Sequence, residues 1–417
     1  VRGPSASAGA KGRSAAARAT GAGMAACLVL LAGAAPAGAA VRGPVDGARA
    51  AGGQKLPGMP SALGDDPERF PCTAASKTEA EKGDWSRRRL DLDRVRVHGT
   101  GEGVTVAVID TGVEKDAAAL KGRVTTQGEA DQDCVGHGTF LANLVAGTGG
   151  ATPELGGVAP GARILGLRGT DARGTPDAAL VVEALRAATA AKADVITVSA
   201  ALPRRDKEVT RAVSAALRSG AVVVAAAVPD PPNATADPVP SRPYWPASEP
   251  GVISVVDMLP SGGRPDGALR TTGVDLAAPG AGVVSGGPRG SGHFLGSGAS
   301  LAAAYTAGAA AVVRSAHPDA PAEEVARRLV ATAYPADVPQ LDPYAAVTSV
   351  ADAAASGPRQ RSVEAVRMRD TASADRAIGR ATLLALGGGA GVLAVVWAAV
   401  MLPRARARGW RPAGRRD

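Results

Sequence analysis

Three short stretches of the sequence carry residues that together would make a nucleophile. Asp110 follows the apolar run Gly103–Ile109 and leads into Thr111-Gly112. His137 stands between Gly136 and Gly138 at the mouth of an apolar stretch, and Ser300 follows Gly298-Ala299 at the head of a small-residue run. A serine hydroxyl is a weak nucleophile until a histidine takes its proton; a buried aspartate fixes that histidine's tautomer and stabilises the imidazolium. A serine at a helix N-terminus also gains backbone N–H dipoles beside the charge that develops on an attacked carbonyl oxygen. Each residue alone has an ordinary reading. Ser300 would cap its helix, and Asp-Thr-Gly also marks enzymes whose two carboxylates share a proton. A second Asp-Thr-Gly is missing from the chain. His98 precedes Asp110 and leads into a strand, so it reads as a solvated loop histidine; His293 and His317 have no motif around them and read as loop residues.

The elements that must position these residues follow from hydrophobic periodicity. Apolar runs predict strands over Gly103–Ile109, Arg163–Leu167, Asp194–Val198, Ala221–Ala227 and Val252–Val256. Helical spacing predicts helices over Thr139–Ala146, Pro176–Ala191, Lys207–Arg218, Ser300–Ala316 and Ala322–Thr332. Continuous apolar strands alternating with helices give an α/β fold, a parallel sheet with helices on both faces. Sites in such sheets gather at the C-terminal ends of the strands, where Asp110 stands. This alternation also contradicts the all-β fold that a carboxylate-pair protease requires.

The chain has 417 residues and a formal charge of +8, with 45% hydrophobic but only 3% aromatic residues, so alanine, valine and leucine build the core. The positive charge is concentrated at the two ends, Arg2 to Arg18 and Arg404 to Arg416, and the body is close to neutral. Nucleic-acid binding needs a basic surface on the folded domain and loses its support. Each basic end flanks an apolar run. The first, from Met24, leads into Ala37-Gly38-Ala39 and has the pattern of a secretory signal peptide over residues 1–40. The second, 381–402, is uncharged and long enough to span a membrane, with 403–417 as a basic cytoplasmic tail. Between them lie an N-terminal extension (41–90), a catalytic domain (91–350) and a juxtamembrane linker (351–380). No Cys-x-x-Cys or Cys/His cluster suggests zinc, and neither a metal nor a cofactor is expected.

Longer motifs surround the three residues: Gly101-Glu-Gly-Val-Thr-Val-Ala-Val-Ile-Asp-Thr-Gly-Val113, Asp133-Cys-Val-Gly-His-Gly-Thr-Phe-Leu-Ala142, Gly156-Gly-Val-Ala-Pro-Gly-Ala-Arg163 and Leu341-Asp-Pro-Tyr-Ala-Ala-Val347. Through them the chain from about Trp85 to Val347 resembles the subtilisin-like serine proteases, and among these the mycosins, membrane-anchored proteases of type VII secretion systems. The order Asp, His, Ser is that of subtilisin. The resemblance implies a subtilisin-like sheet and a triad of Asp110, His137 and Ser300. It also implies protein or peptide substrates, type VII secretion membrane components as partners, and a single-pass cell-membrane protein with its catalytic domain outside the cytoplasm.

Departures from the family pattern cluster near the serine. Where the family ends a strand in Gly-Asn and uses the asparagine to donate to the oxyanion, this chain has Val228 and Pro229, leaving the Ser300 backbone N–H. The prolines that follow direct Asn233 elsewhere. Ala299 replaces a threonine, Ala304 a proline, and the substrate-pairing strand reads Ser199-Ala200-Ala201, where the Ala201 methyl narrows the approach of a peptide. An impaired relative with a structural role in the secretion complex is therefore the alternative to an active endopeptidase. Cys72 and Cys134 remain after signal removal. Outside the cytoplasm an even pair favours a disulfide, as mycosins tie their extension to the domain, with two free thiols as the alternative.

Overall fold

A computed structural model describes residues 55–81, 83–150, 152–231, 240–350 and 372–409. The expected signal peptide, Asn233, residues 351–371 of the expected linker and residues 410–417 of the basic tail lie outside the described residues.

The run before Asp110 is apolar on both sides because it is covered on both sides. In β1 (Thr105–Asp110) the residues Val106 and Val108 enter one hydrophobic core and Ala107 and Ile109 the other. The strand is central in a seven-stranded sheet completed by β2 (Val124–Thr126), β3 (Arg163–Arg168), β4 (Val195–Val198), β5 (Val222–Ala226), β6 (Ile253–Met258) and β7 (Leu276–Pro279). The order is β2-β3-β1-β4-β5-β6-β7, and every pairing is parallel. A separate antiparallel pair, β8 (Ala281–Gly286) and β9 (His293–Ser297), follows.

The helices are α1 (Trp85–Arg89), α2 (Leu92–His98), α3 (His137–Ala146), α4 (Ala178–Ala190), α5 (Lys207–Arg218), α6 (Ala299–Ala316), α7 (Ala322–Ala331), α8 (Pro343–Thr348) and α9 (Ala372–Ala407). Residues of α4 and α5 share a core with Ala107 and Ile109; those of α3, α6 and α7 share the other with Val106 and Val108. Asp177 and Asp206 cap α4 and α5, each accepting two backbone N–H bonds, so α4 begins at Ala178 rather than at Pro176. From Ala299 to Val313 every residue of α6 is buried, as a helix this rich in alanine and glycine requires, and its small side chains let it lie close to the strands. The short β2, β7, β8 and β9 and the Arg-rich α1 and α2 carry no strong periodicity and go beyond the sequence expectation.

Residues 55–81 form no helix or strand beyond isolated bridges and are tied down by backbone bonds. Met59 N–H donates to Leu295 O at 2.8 Å and His293 N–H to Thr78 O at 2.8 Å. The next residues are locked more firmly. Asp84 caps α1, and the buried Arg87 guanidinium donates to Asp84 at 2.8 Å and to the carbonyls of Leu155 and Val284, both at 2.7 Å.

The described residues 372–409 belong to a second unit. Its helix α9 contains a stretch, Leu384–Ala407, long and apolar enough to cross a membrane by length and composition. The helix already begins at Ala372, inside the expected linker, and continues past Pro403.

Candidate active site

Three strand or helix ends bring the chemistry together at the C-terminal edge of the sheet. β1 delivers Asp110, which is 1% exposed. Its carboxylate accepts the Thr111 N–H at 2.6 Å and faces His137 Nδ1 at 2.9 Å from Oδ2 and 3.1 Å from Oδ1. His137 opens α3, and the helix lies close enough to the Asp-Thr-Gly loop that a Cβ on Gly138 would fall 2.0 Å from the Gly112 carbonyl oxygen. Only glycine permits that approach.

Asp133, fully buried, holds this corner. It accepts from Gly136 N–H at 2.7 Å, Thr139 N–H at 2.8 Å, Thr139 Oγ1 at 2.6 Å and Thr111 Oγ1 at 2.8 Å. Thr111 Oγ1 in turn accepts the Gly138 N–H at 2.9 Å. One carboxylate thus ties the Asp110 loop to the first turn of the helix that carries His137, and it satisfies N–H groups that a helix start leaves open. In sequence Asp133 is one residue of the motif around His137, with nothing beside it to mark this role.

Gly298 occupies the N-cap of α6, so Ser300 sits inside the first turn rather than capping it. The hydroxyl is 3.2 Å from His137 Nε2, and Ser300 is 1% exposed. Asp110, His137 and Ser300 therefore form a continuous hydrogen-bonded row.

A fourth side chain enters the same point. Asp230 lies four residues beyond the end of β5, and its carboxylate accepts the Ser300 backbone N–H at 3.0 Å through Oδ1. Its Oδ2 accepts the Ser300 hydroxyl and lies 3.1 Å from His137 Nε2. The expectation that Val228 and Pro229 leave this corner without a polar side chain is corrected. Pro229 lines the adjacent cavity, Val228 packs with Ala201, Ala226, Tyr244 and Ala299, and the next residue turns inward. Gly298 makes the space, since a Cβ there would lie 2.0 Å from Asp230 Oδ1. The signal was visible in the sequence: Asp230 is the first polar side chain after β5.

The charges act on one another. Burial alone would push the Asp110 carboxyl up, but the adjacent His137 and the hydrogen bonds around it hold it below the usual value. Burial would likewise lower His137, yet Asp110 on one nitrogen and Asp230 on the other raise it well above an ordinary histidine.

Ser199 donates its hydroxyl to Ile109 O at 3.1 Å beside Asp110, while Ala200 and Ala201 are buried. The Ala201 methyl belongs to the small apolar cluster with Val228 and Ala299. A cavity of about 530 Å³ opens next to Ser300, lined among others by Asp230, Asp257, Arg264, Leu269 and Ala299. Cys72 and Cys134 are joined in a disulfide, three residues before His137. The remaining histidines stand away from the row. His98 is exposed, but it ends α2 rather than lying in a loop, edge-on to Tyr344. His293 is corrected from a loop residue to the buried first residue of β9, its Nδ1 accepting the Ala80 N–H at 3.1 Å. His317 follows α6 and meets Val347 O at 2.8 Å.

Known proteins share this arrangement of sequence and fold. The sequence profile of the subtilase family matches residues 101–373. Mycosin-3 of Mycobacterium tuberculosis is 33% identical over 307 residues, which cover 60% of this chain and 66% of that protein, just under two thirds. Subtilisin DY of Bacillus licheniformis is 32% identical over 249 residues, 58% of this chain and 89% of that one. Among solved structures, the MycP3 protease from the type VII (ESX-3) secretion system superposes with a TM-score of 0.56 at 30% identity, covering 67% of this chain and 92% of that one.

Proposed function

The chain belongs to the subtilase family, and on that premise we propose that it is a membrane-anchored serine endopeptidase of a type VII secretion assembly. In this reading Ser300 is the nucleophile, His137 the general base and Asp110 the group that orients and stabilises the imidazole. The observation that carries it is the buried row from Asp110 through His137 to Ser300, with Nδ1 at 2.9 Å and Nε2 at 3.2 Å from their partners.

The chemistry follows from that geometry. Ser300 Oγ attacks the carbonyl carbon of a peptide bond while its proton passes to His137 Nε2. The carbonyl π pair moves onto oxygen, which accepts the Ser300 N–H once Asp230 Oδ1 is displaced from it. The tetrahedral species collapses when the C–N bond breaks and Nε2 returns the proton to the leaving amine. Water then repeats the sequence on the acyl-serine ester. Ser199, Ala200 and Ala201, at the end of β4, are the stretch proposed to align the substrate backbone. The apolar helix α9 supplies the anchor, with the catalytic unit outside the cytoplasm and protein or peptide chains as substrates.

A second reading, a catalytically impaired component with a structural role in the secretion complex, is favoured by one observation: Asp230 already occupies the Ser300 N–H. Fluorophosphonate labelling of the full chain in detergent decides between them, comparing wild type with Ser300→Ala across a range of pH. Label that disappears in Ser300→Ala supports the endopeptidase. An absence of Ser300-dependent label at every pH refutes it and leaves the structural role.

A further inference from the structure

Asp230 has no counterpart in the catalytic row, yet it touches two of its three members. We propose that Asp230 is a further residue of the reaction centre that shares a single proton with His137, so that hydrolysis runs only while the pair holds that one proton. The inference rests on the serine-endopeptidase reading and specifies how its oxyanion corner works.

The geometry sets the terms. His137 Nε2 lies 3.1 Å from Asp230 Oδ2 and 3.2 Å from Ser300 Oγ, and the Asp230 side chain is 7% exposed. A proton on this pair therefore has two homes. On Nε2 it gives an imidazolium facing a carboxylate, with the Ser300 hydroxyl and N–H both donating to Asp230. That arrangement is closed: His137 accepts nothing more, and the N–H that should receive the oxyanion is occupied.

On Asp230 the same proton gives a neutral imidazole and a carboxylic acid. His137 then takes the proton of Ser300 Oγ as the C–O bond to the substrate forms. The incoming carbonyl oxygen displaces Oδ1 from the Ser300 N–H and accepts both that N–H and the Asp230 O–H. The proton count is the same in both forms, so they are tautomers of one state. With two protons the base is lost. With none, a carboxylate stands where negative charge must develop, in a buried site where like charges repel strongly.

The surroundings leave this proton to the pair. From α3 the group facing Asp230 is His137, and from α6 it is Ser300. From β1 Asp110 acts across the imidazole. From β6 Asp257 approaches with its charge met by Arg264 at 3.0 Å, and Asp266 stands in the wall of the same cavity. No further element offers a cation to Asp230 among the described ion pairs.

The test is the pH profile of Ser300-dependent fluorophosphonate labelling and peptide hydrolysis in the full chain, wild type against Asp230→Asn and Asp230→Ala. Wild type gives a bell, its alkaline limb falling about tenfold per pH unit. In Asp230→Asn that limb disappears, and on the alkaline side of the wild-type bell the variant exceeds wild type by about tenfold for each pH unit past the limb's onset, since an amide donates at any pH. In Asp230→Ala the limb also disappears, at rates below Asp230→Asn for want of the donor. Melting curves matching wild type establish that both variants are folded. A wild-type profile that rises to an alkaline plateau, or an Asp230→Asn profile that overlays it, overturns the shared proton and leaves the endopeptidase standing. Loss of Ser300-dependent label in every variant at every pH removes both.

Discussion

Replacing Cys72 and Cys134 together by serine separates what holds the extension from what positions His137. The bridge joins residues 62 apart in sequence. In the chain-entropy model a loop of that length removes about 14 cal/mol/K from the unfolded ensemble, or about 4 kcal/mol at room temperature. The native contacts beside it survive the change, because Thr73 N–H still donates to Cys134 O at 2.9 Å through the backbone and Thr73 Oγ1 to Val135 O at 2.6 Å. The loss is therefore expected on the unfolded side. The double serine variant should lose about 4 kcal/mol in urea titrations and melt roughly 8 °C lower, at about 2 °C per kcal/mol for a domain of this size. Wild type under strong reductant should match it. Fluorophosphonate labelling well below the melt should stay near wild type, since Asp133 and Thr111, not the bridge, fix the first turn of α3. A stability loss under about 1 kcal/mol would refute the loop-closure reasoning. Collapse of labelling in a folded variant would instead show that the bridge itself positions His137.

Two more perturbations probe the same corner. Asp133→Ala orphans the buried N–H groups of Gly136 and Thr139, at about 1–3 kcal/mol each. A urea midpoint equivalent to less than about 1 kcal/mol of loss would remove Asp133 from its positioning role. The second concerns pH. Asp110 is held below its ordinary value, so its contribution is present above the unfolded value of 3.8 and fades as pH falls through the lower folded one. His137 is raised above 6.5, so its contribution is full below that pH and fades as pH rises through the folded value. The stability gap between wild type and His137→Gln should thus be widest between about pH 4 and 6.5 and narrow in alkali. A gap that stays constant from pH 5 to 10 would contradict the two-carboxylate environment of the imidazole.

The parts of the fold legible in sequence are those where burial writes itself into composition. Val106 to Ile109 is apolar on both faces because helices cover both faces, and α6 is alanine-rich because the sheet lies against it. Asp110, His137 and Ser300 are legible because each lies within two residues of a glycine at one end of an apolar element. The rest depends on where the chain turns. Counting residues past β5 puts Pro229 in the place of the family's asparagine; Asp230, the first polar side chain after the strand, is one residue further on, and the backbone path turns it into the corner. His293 looked unremarkable since its burial comes from residues 78–80, more than two hundred positions away in sequence. Asp133 could be read as a motif residue, but its four donors come from three separate residues that only the α3 start assembles.

The electrostatics of the corner decide between an absent donor and a hostile one. A proteolytic oxyanion beside an ionised Asp230 would place two negative charges about 3 Å apart, a repulsion of about 5 kcal/mol at an effective dielectric of 20. That is about four orders of magnitude in rate, whereas losing one oxyanion donor removes only about two to three. Arg264 does not offset the repulsion, since it is already paired with Asp257 at 3.0 Å. It follows that alanine at position 230 should be less damaging than an ionised aspartate. Asp230→Ala is expected to label faster than wild type on the alkaline limb of the wild-type bell and more slowly at the wild-type optimum. That crossing of the two profiles distinguishes a carboxyl that shares the proton of His137 from an inert carboxylate, because an inert one would keep the two curves parallel across the whole range.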